Sequence, residues 1–103
     1  MTRFDIEPAA AFEIADATRS YESTRPGLGR DFVNHIDAAL ANVCRFPEMA
    51  ATISPGIRRV VLHRFPFSIV YRVTDEGVQV LALFPHRADP EPLLATLATR
   101  SGA

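Results

Sequence analysis

Apolar positions recur along this chain with two different periods, and the change of period divides it. In residues 9–23, Ala10, Ile14, Ala17 and Tyr21 fall at i, i+4, i+7 and i+11, which is one face of an α-helix. Glu13, Asp16 and Ser20 fall away from that face, and Pro8 stands where proline suits a helix, in the first turn. Thr24-Arg25-Pro26-Gly27 interrupts the pattern as a turn. A second stripe follows over residues 28–46, carried by Leu28, Phe32, Ile36, Ala39, Leu40 and Val43, with Arg30, Asp37 and Arg45 outside it. Pro47 ends it, because proline disfavours helical geometry in the residue before it. Two helices joined by so short a turn are expected to pack as an antiparallel αα-hairpin.

The period then shifts to two. Arg3, Phe4, Asp5 and Ile6 already alternate and predict a short first strand. Residues 48–56 read as a loop closing on the turn signal Ser54-Pro55-Gly56. Residues 57–65 read as a strand, Pro66 forces a bend, and residues 67–73 form a β-branched and aromatic strand. Thr74-Asp75-Glu76-Gly77 is a hairpin loop with a glycine for a positive-φ position. Residues 78–84 are almost all apolar, as expected of a central strand covered on both sides. Asp89-Pro90 opens a C-terminal helix with Leu93, Leu94 and Leu97 on one side. The order β-α-α-β-β-β-α predicts an α+β fold, an αα-hairpin packed on a small, mainly antiparallel sheet. With 103 residues, no repeat and no linker, residues 1–103 are expected to form one domain.

Composition sharpens this reading in three places. Hydrophobic residues make up 48% of the chain, enough for a core. No apolar run reaches the roughly 20 residues that cross a bilayer. No basic and apolar leader precedes the early acids, and Cys44 stands alone, so a cytoplasmic location without internal disulfides is expected. The formal net charge of -1 hides a segregation. Residues 1–24 hold five acids against Arg3 and Arg19, whereas residues 53–73 hold four arginines and no acid. All eleven basic residues are arginine, the better side chain for planar contacts to phosphate or carboxylate.

The candidate chemistry lies in that arginine-dense stretch. Arg58, Arg59, His63, Arg64, Arg72 and Arg87 are the residues expected to bind an anion or a partner. Alternation puts Arg58 with Val60 and Arg59 with Val61, so both faces are mixed and the pattern alone does not say which meets the helices. His63 and His86 are candidate proton carriers, His86 the better one for standing beside Arg87, while His35 sits among apolar neighbours as a structural residue. Tyr71 is explained as well by a core position with its hydroxyl satisfied. Cys44 and three scattered histidines have no metal-ligand spacing, no serine sits in a nucleophile elbow, and Gly27-Leu28-Gly29 is no nucleotide loop. Neither a metal nor a cofactor is expected.

The run Arg64-Phe65-Pro66-Phe67-Ser68-Ile69-Val70-Tyr71-Arg72-Val73 resembles the hairpin of the RelE/ParE superfamily of bacterial toxins. The apolar strand running into His86-Arg87, the alanine-rich first helix ending near Tyr21, and Phe32 with the closing proline extend the resemblance over nearly the whole chain. It implies the toxin half of a type II toxin–antitoxin (plasmid stabilisation) module that inhibits growth and is held inactive by its antitoxin. RelE-like members cut messenger RNA on the ribosome; the best known ParE-like members poison DNA gyrase. Metal-free RNA cleavage needs a base, an acid and cations for the phosphorane. Arg59, His86 and Arg87 are the catalytic candidates, but Val61, Ser68 and Leu93 stand where the RelE-like pattern has polar groups. The resemblance therefore implies a ParE-like protein that binds a DNA-handling target such as gyrase. The alternatives are a metal-independent, ribosome-dependent endoribonuclease and a degenerate member with little toxicity. Cationic strands and apolar grooves beside an αα-hairpin suit an acidic, amphipathic antitoxin segment that folds on binding.

Overall fold

The two helices expected from the 3.6-residue period form α1 (Pro8–Thr24) and α2 (Leu28–Arg45) in the computed structural model, which describes residues 4–100. Their apolar stripes turn inward together. Ala10, Phe32, Ile36, Leu40 and Val43 are buried, with Ile14, Ala17, Tyr21, Leu28 and Ala39 packed against them. The connection is tight because Gly27 adopts φ +90°, a left-handed geometry that costs glycine little. The Glu22 side chain then caps the second helix. Its carboxylate accepts the Gly27 N–H at 3.0 Å and the Gly29 N–H at 3.0 Å, two donors that a helix N-terminus leaves without intrahelical partners.

Among the described residues five strands form one sheet in the order β1-β5-β4-β3-β2. They are β1 (Phe4–Ile6), β2 (Ala51–Ser54), β3 (Ile57–Val61), β4 (Phe67–Thr74) and β5 (Gly77–Pro85). β1 runs parallel to β5 and every other pairing is antiparallel. Arg3, the first residue of the alternating pattern, lies outside the described residues. α3 (Glu91–Arg100) follows, its first turn capped by the Asp89 carboxylate, which accepts the Glu91 N–H at 3.1 Å. Among the described residues no helix is long and apolar enough to cross a membrane.

The sheet separates two apolar clusters. Leu62, Phe65, Ile69, Tyr71, Val78, Val80 and Leu83 join α1 and α2 on one side. Val70, Leu81, Ala82 and Phe84 meet Leu93, Leu94 and Leu97 of α3 on the other. A bulge makes this division possible along β5: Tyr71 pairs with Val80 and Val70 with Ala82, so Leu81 is an extra residue. Leu81 and Ala82 consequently both serve the α3 cluster, which strict alternation would forbid.

Two readings of the sequence change. Residues 48–56 are not all loop, because Ala51–Ser54 pairs with β3 as an edge strand. The strand expected over residues 57–65 stops at Val61. Beyond it the chain curls, with the Leu62 N–H donating to the Phe67 carbonyl at 3.0 Å and the Phe67 N–H to that of Phe65 at 2.8 Å. The curl lets Leu62 and Phe65 both enter the helix-side core, and it moves His63 and Arg64 from a strand into a loop.

Candidate functional site

The sheet fixes where each sequence-predicted cation goes. On β3, Arg58 lies opposite Tyr71 and Arg59 opposite Val70. Arg58 therefore shares the face of α1 and α2, while Arg59 shares the face of α3. The Arg58 guanidinium donates to the Glu48 carbonyl at 2.9 Å and the Ala50 carbonyl at 2.8 Å. It ties the chain leaving α2 to the sheet. Arg72 donates from Nε to Gln79 Oε1 at 2.8 Å, and Gln79 donates in turn to Glu7 Oε1 at 3.0 Å. This chain of contacts joins β4, β5 and the residue that precedes α1.

The remaining candidates gather at one end of the sheet. The loop of residues 62–66 and the turn after β5 lie side by side there, joined by two contacts from His86. Its backbone N–H donates to the Pro66 carbonyl at 3.2 Å, and its Nε2–H donates to the carbonyl of Phe67. His86 thus holds the turn that carries Arg87 against the end of the loop that carries His63 and Arg64. Phe65 anchors the loop in an aromatic cluster, with ring centroids 5.0 Å from Tyr21 and 5.1 Å from Phe32. Arg64 is thereby directed to Asp31 of α2, at 3.4 Å. That pair is half-exposed, so water screens it and it contributes little to stability. His35 holds a structural place, its Nδ1–H donating to the Asp31 carbonyl at 2.8 Å and its ring set edge-on to Phe65.

Among the described residues, several of these groups already have partners. His86 is engaged in the loop contacts, and Arg58, Arg64 and Arg72 each have side-chain or carbonyl partners. Among the described residues no hydrogen bond or ion pair engages the guanidinium of Arg59 or Arg87. These two remain available to a ligand. Ser68 is fully buried on the α3 side, and among the described residues its hydroxyl has no hydrogen-bond partner. Val61 is exposed and apolar, and Leu93 packs on the sheet. Among the described residues no three His, Cys, Asp or Glu side chains are grouped to hold a metal ion.

A second feature escaped the sequence reading. Phe46 and Met49, on either side of Pro47, are large apolar residues that remain 53% and 81% exposed. Between them opens a groove of about 380 Å³ lined by Asn42, Val43, Phe46, Met49, Ala50, Val60 and Tyr71. The Tyr71 hydroxyl donates to the Pro47 carbonyl at 2.7 Å and forms part of its floor. Burial pushes the Tyr71 phenol up, with the Arg58 guanidinium and the Ala50 backbone pulling the other way. The available signal was a pair of bulky apolar residues around Pro47, Phe46 at the end of the expected second helix and Met49 in the expected loop.

The ParE toxin model, described as the toxin of the type II toxin–antitoxin system parDE, matches residues 5–90. Among solved structures, a chain of the chromosomal ParDE toxin–antitoxin system from P. aeruginosa is similar in fold, with a TM-score of 0.72. It is 22% identical, and the match covers 82% of this chain and 96% of that one. No curated protein sequence gives a significant match.

Proposed function

This chain belongs to the ParE toxin family and is the toxin component of a type II toxin–antitoxin module; on that premise we propose that it acts by binding, not by cutting. Its target is a DNA-handling enzyme such as gyrase, and a cognate antitoxin neutralises it. One observation carries the choice against cleavage: Ser68 is fully buried on the α3 side of the sheet, its hydroxyl unpartnered among the described residues. A group in that state cannot touch a scissile phosphate while the helix is seated. Its companions at the other expected polar positions, Val61 and Leu93, have no donor, acceptor or titrating group to offer. What is left is a surface with unengaged arginines, Arg59 and Arg87, suited to an anionic or acidic partner surface.

Expression of the chain alone tests this reading. Growth is expected to stop with DNA-damage signalling and intact transcripts, and co-expression of the antitoxin is expected to restore it. Transcripts cut inside translated codons, with the cutting abolished by Arg87→Ala, would replace the proposal with ribonuclease activity. Unimpaired growth of cells containing the folded chain would remove the toxic activity altogether.

A further inference from the structure

Phe46 and Met49 are held out in water by a segment that is itself firmly fixed. The Phe46 N–H donates to the Asn42 carbonyl at 2.9 Å and the Met49 N–H to the Phe46 carbonyl at 3.1 Å. From the sheet, Tyr71 reaches the Pro47 carbonyl at 2.7 Å, and Arg58 reaches the carbonyls of Glu48 and Ala50 at 2.9 and 2.8 Å. A strap held at so many points has little freedom to fold its apolar side chains inward. Large apolar groups presented on a rigid frame are the anatomy of a recognition site, since little ordering cost is left to offset the contact.

The groove's size and charge narrow its occupant. About 380 Å³ accommodates one or two large side chains, not a packed domain face. None of the residues lining it is charged, so the contact within is apolar. Its rim is cationic beside Phe46. The Arg45 guanidinium lies 5.3 Å from the Phe46 ring, whereas that of Arg58 is committed to the strap carbonyls. Glu48, exposed on the strap, is the acid nearest in sequence. A second copy of this chain would bring its own Arg45 to the same rim, like charge against like. A segment with an apolar anchor flanked by acids meets no such penalty.

We infer that this groove is an anchor site for the antitoxin, taking one large apolar side chain of an amphipathic segment between Phe46 and Met49, with a neighbouring acid directed to Arg45. This rests on the reading of the chain as a toxin neutralised by an antitoxin. It shifts the main grip on the antitoxin from the arginine-bearing sheet to an apolar corner. Met49 suits the task, because its unbranched, polarisable side chain adapts to the shape of its guest.

The test titrates the purified antitoxin of the same module into the folded chain and its variants. Met49→Ser and Phe46→Ser are each expected to weaken binding about tenfold or more, as for a central apolar anchor. Arg45→Ala is expected to weaken it only about two- to threefold, an effect that added salt erases. Both serine variants alter exposed positions, and circular dichroism checks that they fold. A second measurement needs no variant: peroxide oxidation of Met49, read by peptide mass spectrometry, is expected to slow in the complex. Full-strength binding by both serine variants, or unchanged Met49 oxidation in the complex, overturns the inference and leaves the toxin reading intact. Self-association of the free chain that Met49→Ser abolishes also overturns it, in favour of a second copy. If the wild-type chain does not bind the antitoxin at all, the underlying reading falls as well.

Discussion

Two buried hydroxyls on β4 make opposite predictions for the same kind of substitution. Ser68 and Tyr71 are both fully buried, on opposite faces of the sheet. Tyr71 donates to the Pro47 carbonyl at 2.7 Å, whereas Ser68 Oγ has no partner among the described residues. Tyr71→Phe removes a hydrogen bond while leaving the ring in place. The loss should be about 1 kcal/mol, since Pro47 is only half-buried and its carbonyl can regain a bond to water. Ser68→Ala removes a desolvated group that receives nothing in return and changes the volume very little. The folded state should gain about 0.5–1 kcal/mol, the low end of the cost of burying an unpaired hydroxyl. Urea denaturation followed by circular dichroism measures both, with an unchanged m-value as the check that only stability moved. By melting, about 1 kcal/mol corresponds to roughly 4–8 °C for a domain of this size. A Ser68→Ala variant that loses stability, or a Tyr71→Phe variant that keeps all of it, would refute the assignment of bonded and unbonded hydroxyls.

Glu22→Ala should cost about 1–2 kcal/mol in the same denaturation assay, because the carboxylate caps two N–H donors of α2 and favours its positive end. Gly29→Ala should cost about 1–3 kcal/mol by overpacking, since a Cβ there would lie 3.0 Å from the Thr18 carbonyl oxygen and 3.0 Å from Glu22 Oε1. Stability should also fall in alkali. Burial pushes the Tyr21 and Tyr71 phenols and the Cys44 thiol up. The unfolded chain therefore ionises first, so stability is full below the ordinary values of about 9 to 10 and declines as pH rises through them. Denaturation midpoints at neutral and alkaline pH check this, Tyr71→Phe should flatten the decline, and midpoints independent of pH would contradict it.

The elements that sequence patterning resolved are those whose own periodicity determines them. The stripe from Leu28 to Val43 buries Phe32, Ile36, Leu40 and Val43, as its spacing requires. The apolar run of β5 is central and covered on both sides. β2 was illegible because Ala51–Ser54 is only four residues long and runs straight into the turn signal Pro55-Gly56; pairing with β3 makes it a strand. The early end of β3 was hidden for a related reason: Leu62 and Phe65 look like alternating strand positions, yet both are drawn into one aromatic core. At the site, alternation sorted Arg58 from Arg59 but could not orient the sheet. Only the register with Tyr71 and Val70 assigns each to a helix-covered face. The contacts that engage Arg58, Arg64 and Arg72 are made with residues 7 to 33 positions away, beyond the reach of any local pattern.

The central claim, action by binding a DNA-handling enzyme, is tested most directly by adding the purified chain to gyrase and relaxed plasmid with ATP. A parallel reaction holds ribosomes programmed with messenger RNA. The account predicts that supercoiling is inhibited at toxin concentrations that leave the ribosome-bound message uncut. Unaffected supercoiling beside cleavage of that message would contradict it.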